Sequence, residues 1–174
     1  IRLFSPSHTF VTISSTSTGI EEVVLDGHNG DDSFLIAQNN PFTGGLFLDG
    51  GNPSHSDVVS LFAPATFAQT VTIAPLAGDQ TKQLISGFRD VAAASNPIQT
   101  SGIELISYIG IDDPINDRLI VDLGSSDATA RVQRGTDDMD EVTSSSLPKI
   151  TFTTIDTFEI QSNNGGSDVV TFKT

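Results

Sequence analysis

Three stretches of this chain repeat one pattern, and a chain built that way must bury one stretch against the next. Ile20–Ile36 reads I-E-E-V-V-L-D-G-H-N-G-D-D-S-F-L-I. Ile103–Val121 reads I-E-L-I-S-Y-I-G-I-D-D-P-I-N-D-R-L-I-V, and Ile155–Phe172 reads I-D-T-F-E-I-Q-S-N-N-G-G-S-D-V-V-T-F. Each sets an acid after Ile, then an alternating apolar strand, a Gly/Asn/Asp turn, and an Asp before a second apolar strand. The interval from Ile to that Asp is nearly constant: Ile20 to Asp32, Ile103 to Asp117, Ile155 to Asp168. In a partial fourth copy, Leu46–Leu61, Asp57 takes the place that Asp32 takes in the first. The step from Asp117 to Asp168 is about twice the step from Asp32 to Asp57. A repeat too short to bury its own apolar face stacks on its neighbours.

The strands this pattern predicts are short and alternating, and composition agrees. Of the 22 acidic residues 17 are Asp and 5 are Glu, which favours turns over helices. The expected fold is all-β: a β-solenoid, similar to a parallel β-helix, with coils of about 25 residues. The alternative is an antiparallel β-sandwich in which each unit is a hairpin. Residues 78–102 break the period; Leu84, Phe88 and Val91 have helical spacing there and predict an irregular or short helical insertion. The expected inward positions are Val23, Leu25, Phe34, Ile36, Phe47, Val59, Leu61, Val71, Ile73, Leu105, Leu119, Val121, Phe158, Ile160, Val170 and Phe172. No linker divides the chain, so residues 1–174 are expected to form one repeat domain. The start at Ile1, without Met or a signal-peptide pattern, suggests a piece of a longer protein.

Eight Lys and Arg stand against 22 Asp and Glu, a formal net charge of -14. Phosphate backbones repel such a chain, so nucleic acid is not an expected partner. No apolar run reaches the roughly 20 residues of a membrane helix, so membrane insertion is not expected either. With no cysteine, thiol chemistry, disulfides and thiolate metal sites are excluded.

Gly27-His28-Asn29-Gly30-Asp31-Asp32-Ser33-Phe34-Leu35 resembles one copy of the calcium-binding nonapeptide of repeats-in-toxin proteins, G-G-x-G-x-D-x-U-x, with His28 in place of the second Gly. Asn163–Thr171 resembles it more loosely through Gly166, Asp168 and the apolar position after it. The matches do not run in tandem, and the wider similarity is to Gly/Asp-rich repeats of bacterial secreted or surface adhesin-like proteins. The resemblance implies bound calcium, with Asn29, Asp31, Asp32, Asp57 and Asp168 as ligands; the opposing reading is a set of Asx-type turns without metal. Two further acidic runs, Thr136–Glu141 and Ile111–Asp117, read as solvated loops. His8, His28 and His55 precede Thr9, Asp32 and Asp57 at unequal offsets, too uneven for a shared metal site.

No nucleophile elbow, zincin motif or phosphate loop is present, so the chain is not expected to be an enzyme. Asp117 and Arg118 are the closest approach to a polysaccharide-cleaving pair, but adjacent strand residues face opposite ways. The expected function is an extracellular, cell-surface structural or adhesive module of a bacterial surface or filament protein, stabilised by calcium. Its expected partners are neighbouring repeats or copies of itself end to end, together with surface glycans. The alternative is a carbohydrate-active enzyme or carbohydrate-binding module on the same scaffold.

Overall fold

A computed structural model describes residues 2–5, 8–12, 19–37, 40–52, 56–63, 68–88, 96–111, 116–136, 138–162 and 167–173, with the backbone alone before residue 19. These residues form strands and turns, with no helix among them. Among the described residues, then, no helix is long and apolar enough to cross a membrane.

The strands, numbered in chain order, lie in two sheets. From edge to edge the first holds β16 (Val169–Lys173), β12 (Thr129–Arg134), β13 (Asp140–Ser144), β14 (Lys149–Thr153) and β10 (Leu105–Ile109). It continues with β6 (Val58–Phe62), β4 (Ser33–Ile36), β1 (Arg2–Ser5) and β2 (His8–Thr12). The second holds β15 (Thr157–Gln161), β11 (Arg118–Asp122), β7 (Thr70–Leu76), β8 (Asp79–Ser86), β9 (Ile98–Ser101), β5 (Gly45–Asp49) and β3 (Glu22–Asp26).

The chain crosses from sheet to sheet after most strands, and strands joined this way lie parallel to their neighbours. Among the described residues antiparallel pairing is confined to β1 with its two neighbours and to two meanders, β7–β8–β9 and β12–β13–β14. Both meanders make the same manoeuvre. β7 is laid three places beyond β5, and β8 and β9 fill the gap backwards; β12 is laid three places beyond β10, and β13 and β14 fill it.

This manoeuvre corrects the expected uniform period. The first parallel partners, Phe34 with Val59 and Val23 with Leu46, keep close to the repeat interval. Later partners are much further apart in sequence: Leu46 pairs with Ile98, Val59 with Ile106, and Leu119 with Phe158. Val71 follows Leu46 by the same interval as Val59 follows Phe34, yet it does not pair with Leu46, because β8 and β9 lie between their strands. The expected helical insertion is also corrected: residues 79–86 form β8, with Leu84 half-buried and Phe88 buried, while Val91 lies outside the described residues.

Inward residues of both sheets make one apolar cluster, including Phe34, Leu46, Val59, Val71, Ile106, Leu119 and Ile150. Burying each contributes roughly 1.5–3 kcal/mol, and a one-residue slip would turn a whole strand's set to solvent. Two expected core positions have the opposite parity. Phe47 and Leu105 face outward, and Leu46, Leu48 and Ile106 take the inward places. Apolar runs in L-F-L and L-I-S-Y-I permit either parity, and the neighbours' register decides it. Phe158 and Ile160 are partly buried against the core. Val170 and Phe172 have inward register, opposite Ala130 and Val132, yet are exposed, since β16 and β15 are edge strands of the two sheets among the described residues.

Candidate functional site

The repeated acids lie where the chain crosses between sheets. Each precedes a strand, and its carboxylate accepts a hydrogen bond from the backbone N–H at the matching position of a neighbouring strand. Asp57 accepts from Asp32 N–H at 2.6 Å, and Glu104 from Asp57 N–H at 2.8 Å, along the β4, β6, β10 row. Asp117 accepts from Gln69 N–H at 3.0 Å, and Asp156 from Asp117 N–H at 2.8 Å, along the β7, β11, β15 row. Asp168 accepts from Ala128 N–H at 2.8 Å beside β12 and β16. Backbone bonds return across the same rungs, from Val58 to Asp32, Arg118 to Gln69 and Val169 to Ala128. Long sequence separations make each rung a clasp between distant segments.

The chemistry follows from position. A strand's first N–H lies outside the regular ladder, and an uncapped buried donor costs about 1–3 kcal/mol. A carboxylate makes a charge-assisted cap, and the short Asp side chain reaches without loss of many rotamers. A second set of Asp residues closes the strand ends. Asp26, Asp49 and Asp122 each accept from the N–H two positions on, at His28, Gly51 and Gly124. These donor residues have φ of 66°, 87° and 82°. His28 thus adopts the left-handed conformation that a glycine takes at the equivalent turns.

Asp32, which gives its N–H to a rung but accepts none, and the rung acid Asp57 differ from the other acids. Both are buried; neither carboxylate oxygen of Asp32, nor Oδ2 of Asp57, has a hydrogen-bond partner. Their oxygens press against glycines of their own crossings. A Cβ on Gly27 would sit 2.5 Å from Asp32 Oδ2 and 2.9 Å from the Gly50 carbonyl oxygen. One on Gly50 would sit 2.7 Å from Asp57 Oδ2 and 2.1 Å from the Gly102 carbonyl oxygen. Loss of hydration pushes the Asp57 carboxyl above the usual range, the Asp32 N–H works against that, and the charges of Glu104, Asp32 and Asp31 add to the rise.

The expected calcium ligands separate. Asp32 and Asp57 adjoin through their rung. Asp31 is exposed, and Asn29 is exposed in an isolated bridge to Asn52, whose amide donates to Asn29 Oδ1 at 3.3 Å. Asp168 caps the other end of the first sheet, beside β16, and accepts from the Ser162 hydroxyl. Among the described residues no three His, Asp or Glu side chains are grouped to hold a metal ion. Residues 163–166 of the second nonapeptide-like turn and His55 lie outside the described residues, as do residues 112–115.

In the run Thr136–Glu141, Asp138 and Asp140 pair with Arg134, and Glu141 with Lys149 at 2.7 Å. Lys149, then Gln133, holds the Glu141 carboxyl below its ordinary value. Asp117 is buried and Arg118 half-exposed against Glu159, so the two face apart as expected. Glu104 and Asp156 are rung acids that a search for calcium ligands passes over. Their signal was the acid following Ile in the repeats at Ile103 and Ile155. Tyr108 has no comparable signal: its hydroxyl is buried without a hydrogen-bond partner, and burial, then Asp117, drives its pKa up.

Comparison with known protein families, curated proteins and solved structures finds no match to this chain.

Proposed function

We propose that this chain is a β-solenoid module with a structural or adhesive role in an extracellular bacterial surface or filament protein. The observation that carries the reading is the set of carboxylate rungs. Asp57, Glu104, Asp117, Asp156 and Asp168 are all engaged in clasping neighbouring strands. Parallel pairing between sheet-crossing strands supports stacked coils, here interrupted by two meanders. The acids that dominate the repeat thereby serve cohesion, and Asp117, which a polysaccharide-cleaving site would need in a cleft, is buried beneath Gln69 and Ile111 amides. Protease shaving of intact source cells, followed by detection of this chain, tests the location. Release from the surface is expected; recovery only from the cytosol contradicts the reading. Incubation with a panel of acidic and neutral polysaccharides tests the role, with no turnover expected and turnover abolished by Asp117→Asn contradicting it.

The orphaned oxygens of Asp32 and Asp57 favour one addition, a calcium ion neutralising this pair. Calcium takes 6–8 oxygen ligands. Asp32 and Asp57 would provide carboxylates, and the Gly50 carbonyl, which approaches the same space as Asp32 Oδ2, could complete part of the shell. Asn29, Asp31 and Asp168 are not needed for it. A ligand that binds only the folded chain raises its stability. The melting temperature is therefore expected to be higher in calcium than in EDTA, with the difference lost in Asp32→Asn. Equal melting curves would leave the pair as structural acids without metal.

A further inference from the structure

In a chain with 22 acids to 8 bases, most cations have a carboxylate close by. Lys82, Arg118, Arg134 and Lys149 each pair with an acid. Arg131 and Lys173 form no ion pair among the described residues, and both are exposed. These two lie on adjacent strands, β12 and β16, and on one face of the first sheet. Ala130 and Val132 pack toward the core, and Val170 and Phe172 share their register, so alternation turns Arg131, Gln133, Thr171 and Lys173 outward. Arg131 stands opposite Thr171 and Lys173 opposite Gln133, which sets the two cations' Cα atoms about 8 Å apart.

Both cations border an open groove of about 710 Å³ on that face. Thr129, Thr143, Ser145 and Thr171 add hydroxyls to it, and no Asp or Glu among the described residues lines it. Other grooves on the outward faces do carry acids: Glu22 and Asp49 in one, Glu141 in another. Glu141 stands opposite Gln133, accepts from it, and pairs with Lys149 at 2.7 Å, so its charge is already compensated. Any strand added beside β16 would lengthen the sheet in its own plane and leave this outward face open.

The chemistry of the groove selects an anion carried on a hydroxyl-rich frame. A guanidinium offers paired donors that match a carboxylate, and an ammonium adds a point charge. Ser and Thr hydroxyls both donate and accept, as sugar hydroxyls do. Phe172, the one ring at the border, has inward register, so bases find no outward platform to stack on and nucleic acid is disfavoured. The acidic surface elsewhere repels a polyanion, which confines its binding to this face.

We propose that the groove binds the carboxylates of an acidic polysaccharide, with Arg131 and Lys173 as the charged contacts and the Thr and Ser hydroxyls as contacts to the sugar. This assignment rests on the adhesive side of the module reading for its purpose and on the two free cations for its chemistry.

Affinity electrophoresis in EDTA, with polygalacturonate cast in the gel, reads binding without calcium bridges. The wild-type chain is expected to be retarded by polygalacturonate and not by uncharged dextran. Arg131→Gln and Lys173→Gln should each weaken binding about tenfold, and the double variant should abolish it. Cooperative melts should stay unchanged, since both side chains are exposed and form no ion pair among the described residues. Lys82→Gln, on β8 of the second sheet, should leave retardation as it is. A wild-type chain that runs unretarded overturns the proposal. So does retardation that survives the double replacement, or equal retardation by dextran or by single-stranded DNA. None of these results touches the cell-shaving test of location, and recovery of the chain from the cytosol alone would remove the adhesive reading while leaving the binding measurement standing.

Discussion

Asp57 and Asp117 occupy the same place in the repeat and meet different surroundings. Asp117 accepts from Gln69 N–H through one oxygen and from Ile111 N–H, at 3.4 Å, through the other. Asp57 accepts from Asp32 N–H through Oδ1, while its Oδ2 is buried against Gly50 without a partner. Asp32, one strand nearer the β1–β2 edge, has both oxygens unpartnered. Asp57 and Asp117 differ in the second oxygen, which the Ile111 N–H reaches only in Asp117; Asp32 differs from both in its neighbour. Asp57 finds a strand-entry N–H on the parallel strand β4, but the strand beside β4 is β1, which runs antiparallel and offers no such N–H to Asp32. A rung carboxylate is thus fully satisfied only where amides reach both of its oxygens; a buried oxygen that none reaches loses its hydration without compensation.

Removal of the cap in the satisfied region should have the largest effect. Asp117→Ala orphans the Gln69 N–H and weakens the support of the Ile111 N–H. It is expected to lower unfolding free energy by about 3 kcal/mol, read as a shifted urea midpoint with unchanged slope. Asp117→Asn keeps one acceptor and should cost less. Equal losses for the two would mean that charge, and not the capped amide, is what the position requires.

The unsatisfied region should respond much less. Asp57→Asn retains an acceptor for Asp32 N–H and removes a poorly hydrated charge, so it is expected to change stability by less than about 1 kcal/mol in EDTA. Acid titration sharpens the contrast. The folded-state pKa of Asp57 is raised above the 3.8 of an unperturbed Asp, so the folded chain holds this proton more tightly than the unfolded one. Its contribution is fully present below that ordinary value and is lost as pH rises through the raised folded value. Urea midpoints of the wild type in EDTA should therefore carry a component that falls with rising pH above 3.8, and Asp57→Asn should lack it. A pH-independent difference between the two proteins would remove burial of the charge as its cause.

The smallest effect is expected at the turn beside Asp32. His28 holds φ of 66°, which side-chain-bearing residues adopt at a cost of about 1 kcal/mol. His28→Gly should raise the midpoint by up to that amount, less the greater freedom glycine has in the unfolded chain. A loss of stability instead would assign the imidazole a contact worth more than the strain, of which its proximity to Asp26 is the visible candidate.

The repeat made the all-β fold, the short strands and the Asp positions legible, because a period-2 apolar pattern and strand-flanking acids are local signals. The strand order was not. Nothing in Q-T-K-Q-L-I-S shows that β8 runs back to fill a gap left by β7, since order among strands is decided by long-range pairing. Parity at Phe47 and Leu105 was hidden for a related reason: both neighbours in sequence are apolar or half-buried, and only the adjacent strands choose between them. The role of the acids was legible as a choice between turn and metal. That choice was posed for Asn29, Asp31, Asp32, Asp57 and Asp168; it did not include the Asx turns at Asp26, Asp49 and Asp122, nor the rungs at Asp117 and Asp156, whose amide partners, Gln69 and Asp117, lie far away in sequence.

Amide hydrogen exchange at Gln69 tests the rung most directly, since this N–H is the one Asp117 accepts. In the wild type and in Asp117→Asn it is expected to exchange slowly, with protection close to that of the β7 core. In Asp117→Ala it should exchange many-fold faster while core amides such as Ile73 keep their protection. An unprotected Gln69 amide in the wild type, or protection unchanged by Asp117→Ala, would contradict the claim that carboxylate rungs hold this stack together.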